Sequence, residues 1–358
     1  MSLNTKISIV ITTYNSANFI ENAIKSVLAQ SYTNFECIII DDGSKDNTKD
    51  LVLPFLEDER ISYVYQDNAG ISATRNKGIS LVSGDYLLFL DVDDLLPENA
   101  FSDLLNVALK HPKCDFVFGK SGETKGQNSN YHKTQRHDLP TGKPIENKQL
   151  HLLKSTFKNR VMNNVAWNKL YKLSFLKTHN LQFKEGIIHE DELWGFEILY
   201  HAKSIILNNT ITYYYNVAND KSITKNYTLK NLKCFIVVIN SIYDNYYTIE
   251  TDTTRKNIIA AYLLKLKMLS IAHVYNKLTP EEKEDATDLI LETFKHTKVN
   301  FSNNSFLRFK SKRRYNCFLK VQHMPPSFIH EYLSLTRKRS FNLKKLSKIA
   351  KMEKEAKA

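Results

Sequence analysis

Short apolar runs alternate with helical stretches through the first 120 residues, and nearly every run ends in polar side chains. Apolar segments at 7–12, 35–40, 61–65, 86–90 and 115–119 have the length and β-branched content of buried strands. Between them, residues 17–30, 51–56, 71–82 and 97–110 carry apolar residues at helical spacing, with Pro97 suited to a first turn. This βαβα order predicts a doubly wound, mostly parallel sheet with helices on both faces. In such sheets ligands bind beyond the carboxyl ends of the strands. Those ends read Thr13-Tyr14-Asn15, Asp41-Asp42-Gly43, Gln66-Asp67-Asn68 and Asp91-Val92-Asp93-Asp94, so polar groups converge on one rim.

From 122 to 142 the chain is polar and is expected to be an irregular loop. Order resumes at Trp167-Asn168-Lys169-Leu170-Tyr171, and Glu190-Asp191-Glu192 opens a further helix. From about Tyr227 the periodicity is purely helical, with helices expected near 229–248, 253–276 and 280–297. The expected organisation is therefore an α/β domain over 1–226 and a helical region over 227–358. The most apolar stretch, 258–274, is interrupted by Lys265 and Lys267 and falls short of the roughly 20 apolar residues of a spanning helix. It is expected to be a buried helix, in a cytoplasmic protein that is soluble or rests on the inner face of the cell membrane.

Charge narrows the partners. The formal net charge is +12, yet residues 308–358 hold 15 Lys and Arg against three acidic residues, and the remainder balances at 35 of each. A neutral body with a basic tail does not match a general nucleic-acid binder, whose affinity needs basic groups across its binding face. Phe341, Leu343, Leu346 and Ile349 fall at helical spacing among lysines, which suits an amphipathic helix on an anionic leaflet. A packed cap or an oligomer contact is the alternative. Four scattered cysteines without a CxxC pair argue against a disulfide scaffold or structural zinc.

Each acidic cluster has an ordinary reading. Asp93 or Asp94 could cap the helix after Pro97, Asp41-Asp42-Gly43-Ser44 could be a turn, and acids at a helix start complement its dipole. Trp167 and Trp194 could stack on a sugar, although core packing is the commoner fate of tryptophan. Asp91 and Asp93 face one side of an extended chain, and their repulsion is relieved if a hard divalent ion, Mn(II) or Mg(II), lies between them and phosphate oxygens.

The order and spacing of Thr12-Thr13-Tyr14-Asn15, Asp41-Asp42-Gly43-Ser44, Asn68-Ala69-Gly70, Arg75-Asn76 and Asp91-Val92-Asp93-Asp94 resemble the family 2 glycosyltransferases, and Trp167 to Lys172 with Glu190-Asp191 match the second half of that pattern. The resemblance spans about residues 5–225. It implies the glycosyltransferase A fold, a UDP-sugar donor, a glycan or lipid-linked acceptor of surface or capsular polysaccharide, and inversion at the anomeric carbon. It further implies that Thr13, Tyr14, Asn15 and Asp42 hold the nucleobase and ribose, and that Asn68 and Arg75 line the nucleotide pocket. Asp91 would touch ribose or sugar, Asp93 with Asp91 would ligate the metal, and Asp191 would be the base with Glu190 beside it. Asn216 stands where many relatives carry an Arg for the diphosphate, and Lys221 is the expected substitute. A sugar-nucleotide nucleotidyltransferase would need a Gly-rich loop after the first strand, and Thr12 to Asn15 is not one.

Overall fold

The structure is a computed structural model that describes residues 4–128, 130–134, 141–154, 164–218, 227–267 and 272–299. It divides into two compact units, Met1–Ser222 and Ile223–Ala358. Lys221 and the basic tail at 308–358 lie outside the described residues.

In the first unit, β1 (Ile7–Thr13), β2 (Phe35–Asp41), β3 (Ile61–Tyr65) and β4 (Tyr86–Asp91) are parallel neighbours in the order β3-β2-β1-β4. All seven residues of β1 are buried, which is why this strand reads as an unbroken apolar run and not an alternating one. The crossovers are α1 (Ile20–Leu28), α2 (Thr48–Val52) and α3 (Ile71–Leu81), and α4 (Ala100–Lys110) follows β4. On α1 the buried set is Ile20, Ala23, Ile24 and Val27, one helical face. α3 lies close to β1 because residue 78 is glycine: a Cβ there would stand 2.5 Å from Val10 Cγ1.

Several boundaries differ from the sequence expectation. The second helix starts earlier and gives way to a 3-10 turn at Leu53–Glu57, where Pro54 removes a backbone donor. α4 starts three residues after Pro97, whose carbonyl instead accepts from Gln30 Nε2 at 2.7 Å. The last predicted strand of the α/β half, β5 (Phe116–Thr124), is longer than expected. It pairs with the wholly exposed β6 (Tyr131–Thr134), so part of the expected loop is a sheet edge.

Beyond β4 the sheet becomes mixed. The order continues β8-β5-β9-β7, with β7 at Pro144–Glu146, β8 at Lys169–Lys172 and β9 at Ser204–Asn216. β8 is antiparallel to both β4 and β5, while β9 is parallel to β5. α5 (Leu173–Thr178) and α6 (Glu190–His201) connect β8 to β9.

In the second unit, α7 (Leu229–Ile242) runs into a π turn at Tyr243–Tyr247, followed by α8 (Thr253–Lys265) and α9 (Pro280–His296). Thr279 caps α9 through a capping box with Glu282, and Pro280 takes the first turn. Ile258 to Leu264 are buried without interruption, so the second half of α8 is enclosed on all faces, as an apolar stretch with no polar stripe requires, while its first turn is exposed or half-buried. Among the described residues no helix is long and apolar enough to cross a membrane.

Candidate active site

The carboxyl ends of β1, β2 and β4 present the residues singled out in the sequence, in two groups. The first joins the β1 and β2 loops. The Asp42 amide donates to Thr13 O at 2.9 Å, the Asn15 amide to Ser44 Oγ at 2.8 Å, and the Lys45 amide to Asn15 Oδ1 at 2.8 Å. Asn15 holds this bridge from a left-handed conformation, φ 48°, one that asparagine tolerates better than most residues.

Asp42 is buried and organises the loop before α3. Its Oδ1 accepts from Gln66 Nε2 and the Ala69 amide, both at 2.8 Å, and its Oδ2 from the Gly70 amide at 2.9 Å. Asn68 Nδ2 closes the loop onto the Asp42 carbonyl at 2.9 Å. Asp41 is occupied differently, accepting from the Ser44 amide and from the Tyr63 hydroxyl. Thr13 Oγ1 is buried with no hydrogen-bond partner among the described residues, whereas Tyr14 beside it is 51% exposed.

The second group centres on Arg75. Its buried guanidinium reaches Asp91 Oδ1 at 3.1 Å, Glu190 Oε1 at 2.8 Å and Asp191 Oδ1 at 3.3 Å. One residue of α3 thus gathers the end of β4 and the first turn of α6. Burial opposes the charge on Arg75, but Asp191, Asp91 and Glu190 outweigh it and hold the guanidinium above its ordinary value. α6 begins after His189 in the left-handed region, φ 67°, which sets Glu190, Asp191 and Glu192 in its first turn. Desolvation pushes the Asp191 carboxyl up to about 7, with Arg75 pulling the other way and Glu190 and Asp91 adding to the rise. Its side chain nevertheless keeps 28% exposure, against 11% for Glu190.

Lys169, on β8, is buried over the Phe118 ring, with its ammonium on the Val165 carbonyl. Burial lowers it to about 7, and the Asp191 charge acts against that fall. Asn168 precedes it at φ 58° and is locked by Gly119 O and Thr212 Oγ1.

Neither acid after Asp91 caps a helix. Asn99 precedes α4, while Asp94 is buried and accepts from Tyr213 Oη and the Asn216 amide, both at 2.7 Å. Asn216 itself secures the Gly126 and Ala218 amides through Oδ1. Both tryptophans are core: Trp194 stacks on Phe183 at 4.0 Å, and Trp167 stacks on Tyr213 at 4.5 Å and Tyr215 at 5.3 Å. Asp93 is half-buried two residues beyond Asp91, in a turn that the Asp94 amide closes onto the Asp91 carbonyl at 3.0 Å, so these carboxylates, the donor type a hard divalent ion takes, leave β4 on a turn and not on the extended chain expected from the sequence. Among the described residues no cluster of three or more His, Cys, Asp or Glu side chains is arranged to hold a metal alone.

A family model described as glycosyl transferase family 2 matches residues 8–179, the segment that carries β1 through β5, β8 and Arg75. Residues 8–179 form a family 2 glycosyltransferase domain. The chain is 29% identical over 218 residues to the putative glycosyltransferase EpsH of Bacillus subtilis, covering 59% of this chain and 60% of EpsH. It therefore spans less than two thirds of that relative's length. It is also 29% identical over 250 residues to the poly(ribitol-phosphate) beta-N-acetylglucosaminyltransferase TarP of Staphylococcus aureus, covering 68% of this chain and 72% of TarP. Among solved structures, S. aureus TarS 1-349 in complex with UDP-GlcNAc aligns over 94% of this chain and 91% of its own, with a TM-score of 0.74 and 18% identity. The expected glycosyltransferase A fold is borne out: the expected parallel sheet is found in β1 to β4 and continues as a mixed sheet, and the region after 227 is helical in its described residues.

Proposed function

We propose that the α/β domain, placed at 1–226 from the sequence, is an inverting, metal-dependent hexosyltransferase that moves a sugar from a UDP-linked donor to a hydroxyl of a glycan or lipid-linked acceptor in surface polysaccharide synthesis. The observation that carries this reading is the Arg75 hub, which places Asp91 and the Glu190-Asp191 pair in one cluster at the strand ends. The similarity to TarP, and the UDP-GlcNAc of the TarS complex, support a nucleotide sugar of the UDP class.

In this reading the β1–β2 group, Thr13, Tyr14, Asn15, Asp42 and Asn68, receives the nucleoside, and the unpartnered Thr13 Oγ1 offers it a buried polar contact. Asp91 and Asp93 would hold Mn(II) or Mg(II), which when bound neutralises the charge that develops on the departing diphosphate. Asp191 accepts the proton of the acceptor hydroxyl. Its raised value suits that work, since a base is most effective with a pKa near the operating pH. Arg75 orients both Asp91 and Asp191. Lys221 is the remaining candidate for the diphosphate.

The reading is tested with a panel of nucleotide sugars, scored by thermal shift and by release of nucleoside diphosphate. A UDP-sugar should raise the Tm and be turned over. A panel in which no nucleotide sugar binds overturns the proposal. Calorimetry with UDP should show affinity that falls at least tenfold in EDTA and in Asp93→Ala; equal affinity with and without metal removes the metal from the mechanism.

The basic tail is proposed to hold the enzyme at the anionic inner face of the membrane, on its sequence alone: 15 basic residues and an apolar stripe at Phe341, Leu346 and Ile349. Each surface-bound Lys or Arg contributes up to about 1 kcal/mol there. Truncation after Arg337 should abolish sedimentation with anionic liposomes at low salt while donor hydrolysis persists. Full-length protein that ignores such liposomes makes the tail a packed cap or an oligomer contact.

A further inference from the structure

The Asp91-Val92-Asp93-Asp94 turn is held from behind by a residue whose position in an aromatic run gives no hint of such work. Among the described residues β4 pairs with β8 through Tyr86 and Leu87 alone, and the far end of β4 has no strand partner on that side. The Asp91 amide donates instead to the hydroxyl of Tyr213, on β9, at 3.2 Å. That hydroxyl in turn donates to Asp94 Oδ2 at 2.7 Å, and the Asn216 amide fixes the other Asp94 oxygen. Tyr213 is fully buried, and its ring lies on Trp167 at 14° between planes. Tyr214 extends the clamp through paired backbone bonds with Leu95.

We infer that Tyr213 is a positioning residue, whose hydroxyl fixes the main chain of Asp91 and the carboxylate of Asp94 at once and so sets how Asp91 and Asp93 meet the donor diphosphate. This rests on the reading of the site as a nucleotide-sugar site. The geometry separates it from plain core packing. A ring needed only for volume would not require a hydroxyl bonded to both ends of the turn, and the ring already has its stacking partner in Trp167. Arg75 holds the Asp91 carboxylate, so Asp91 is restrained at both its main chain and its side chain.

The test is Tyr213→Phe, which keeps the ring and its stack and removes only the hydroxyl. With Mn(II) present, calorimetry should show UDP affinity reduced about tenfold, the scale of one buried hydrogen bond. Amide exchange at Asp91 should speed at least tenfold while β1 and β2 keep their protection. UDP affinity within twofold of wild type, or an unchanged Asp91 exchange rate, makes Tyr213 a core residue and overturns the inference. If Tyr213→Phe fails to fold, Asp94→Asn decides: it keeps the shape but weakens the acceptor of the phenol, and it should lower UDP affinity in the same direction. No change in that variant also overturns the inference. Wild-type protein that binds no UDP defeats the nucleotide-sugar reading itself, a result distinct from a wild-type affinity that the variants leave intact.

Discussion

Asp191→Asn should lower turnover by about 10²- to 10⁴-fold, the range for losing a general base, while UDP affinity stays within twofold. The substitution preserves shape and leaves an amide oxygen for Arg75 Nη1, while it removes the basicity and the charge of the carboxylate. The wild-type pH profile should carry the same signature. The Asp191 carboxyl sits near 7 because burial disfavours its charge. Turnover should therefore rise with pH through about 7 and level off above. Stability runs the other way. A carboxyl raised in the folded protein stabilises fully below its unfolded value, about 4, and loses that contribution as pH climbs through the folded value near 7. Activity is thus gained over the interval in which this group's support for the fold is lost. A turnover profile flat from pH 5.5 to 8.5, or an active Asp191→Asn beside a dead Glu190→Gln, removes Asp191 from the role of base.

Arg75→Met should be the most damaging single change to the stability of the first unit. It removes the positive charge that pairs with Asp91, Glu190 and Asp191 at once and sets these three carboxylates against one another. Removing one side of a buried ionic cluster costs about 3–5 kcal/mol. For a unit of this size that corresponds to roughly 6–20 °C in Tm, measured at pH 7.5. The loss should shrink as pH falls, because protonated carboxyls no longer repel. Arg75→Lys should restore little, since one ammonium cannot reach both α6 acids and Asp91 as a planar fork does. A fall in Tm below 3 °C for Arg75→Met would show that solvent already screens the cluster.

The first four strands, the helices between them and the polar strand ends were legible because each is a local pattern: buried runs, helical periodicity, and loops that follow them. Asp91 and Asp93 could be placed at a strand end on that basis, and Asp191 at the start of a helix. The ion pairs could not be read, because Arg75 and Glu190 stand 115 positions apart and no spacing rule links them. Strand β6 escaped because all four of its residues are exposed, so it has no apolar alternation. β8 is only four residues long. Tyr213 is a fully buried aromatic, and its hydroxyl gains meaning only when β9 lies behind the end of β4. Asp94 invited a capping reading for the same reason: its partners, Tyr213 and Asn216, come more than 100 residues later.

The separation of these partners also bears on how the protein emerges from the ribosome. β1 to β4 can pair as soon as they are out, yet the end of β4 then holds Asp91 and Asp94 without Tyr213, and Arg75 without Glu190 or Asp191. At about 5–20 residues per second, the 125 residues from Asp91 to Asn216 take roughly 6–25 s to follow. Throughout that interval the nascent chain carries an acidic, half-assembled pocket. Arrest of translation before residue 190 should leave a sheet that is folded but unable to retain nucleotide, and the site matures only when β9 docks.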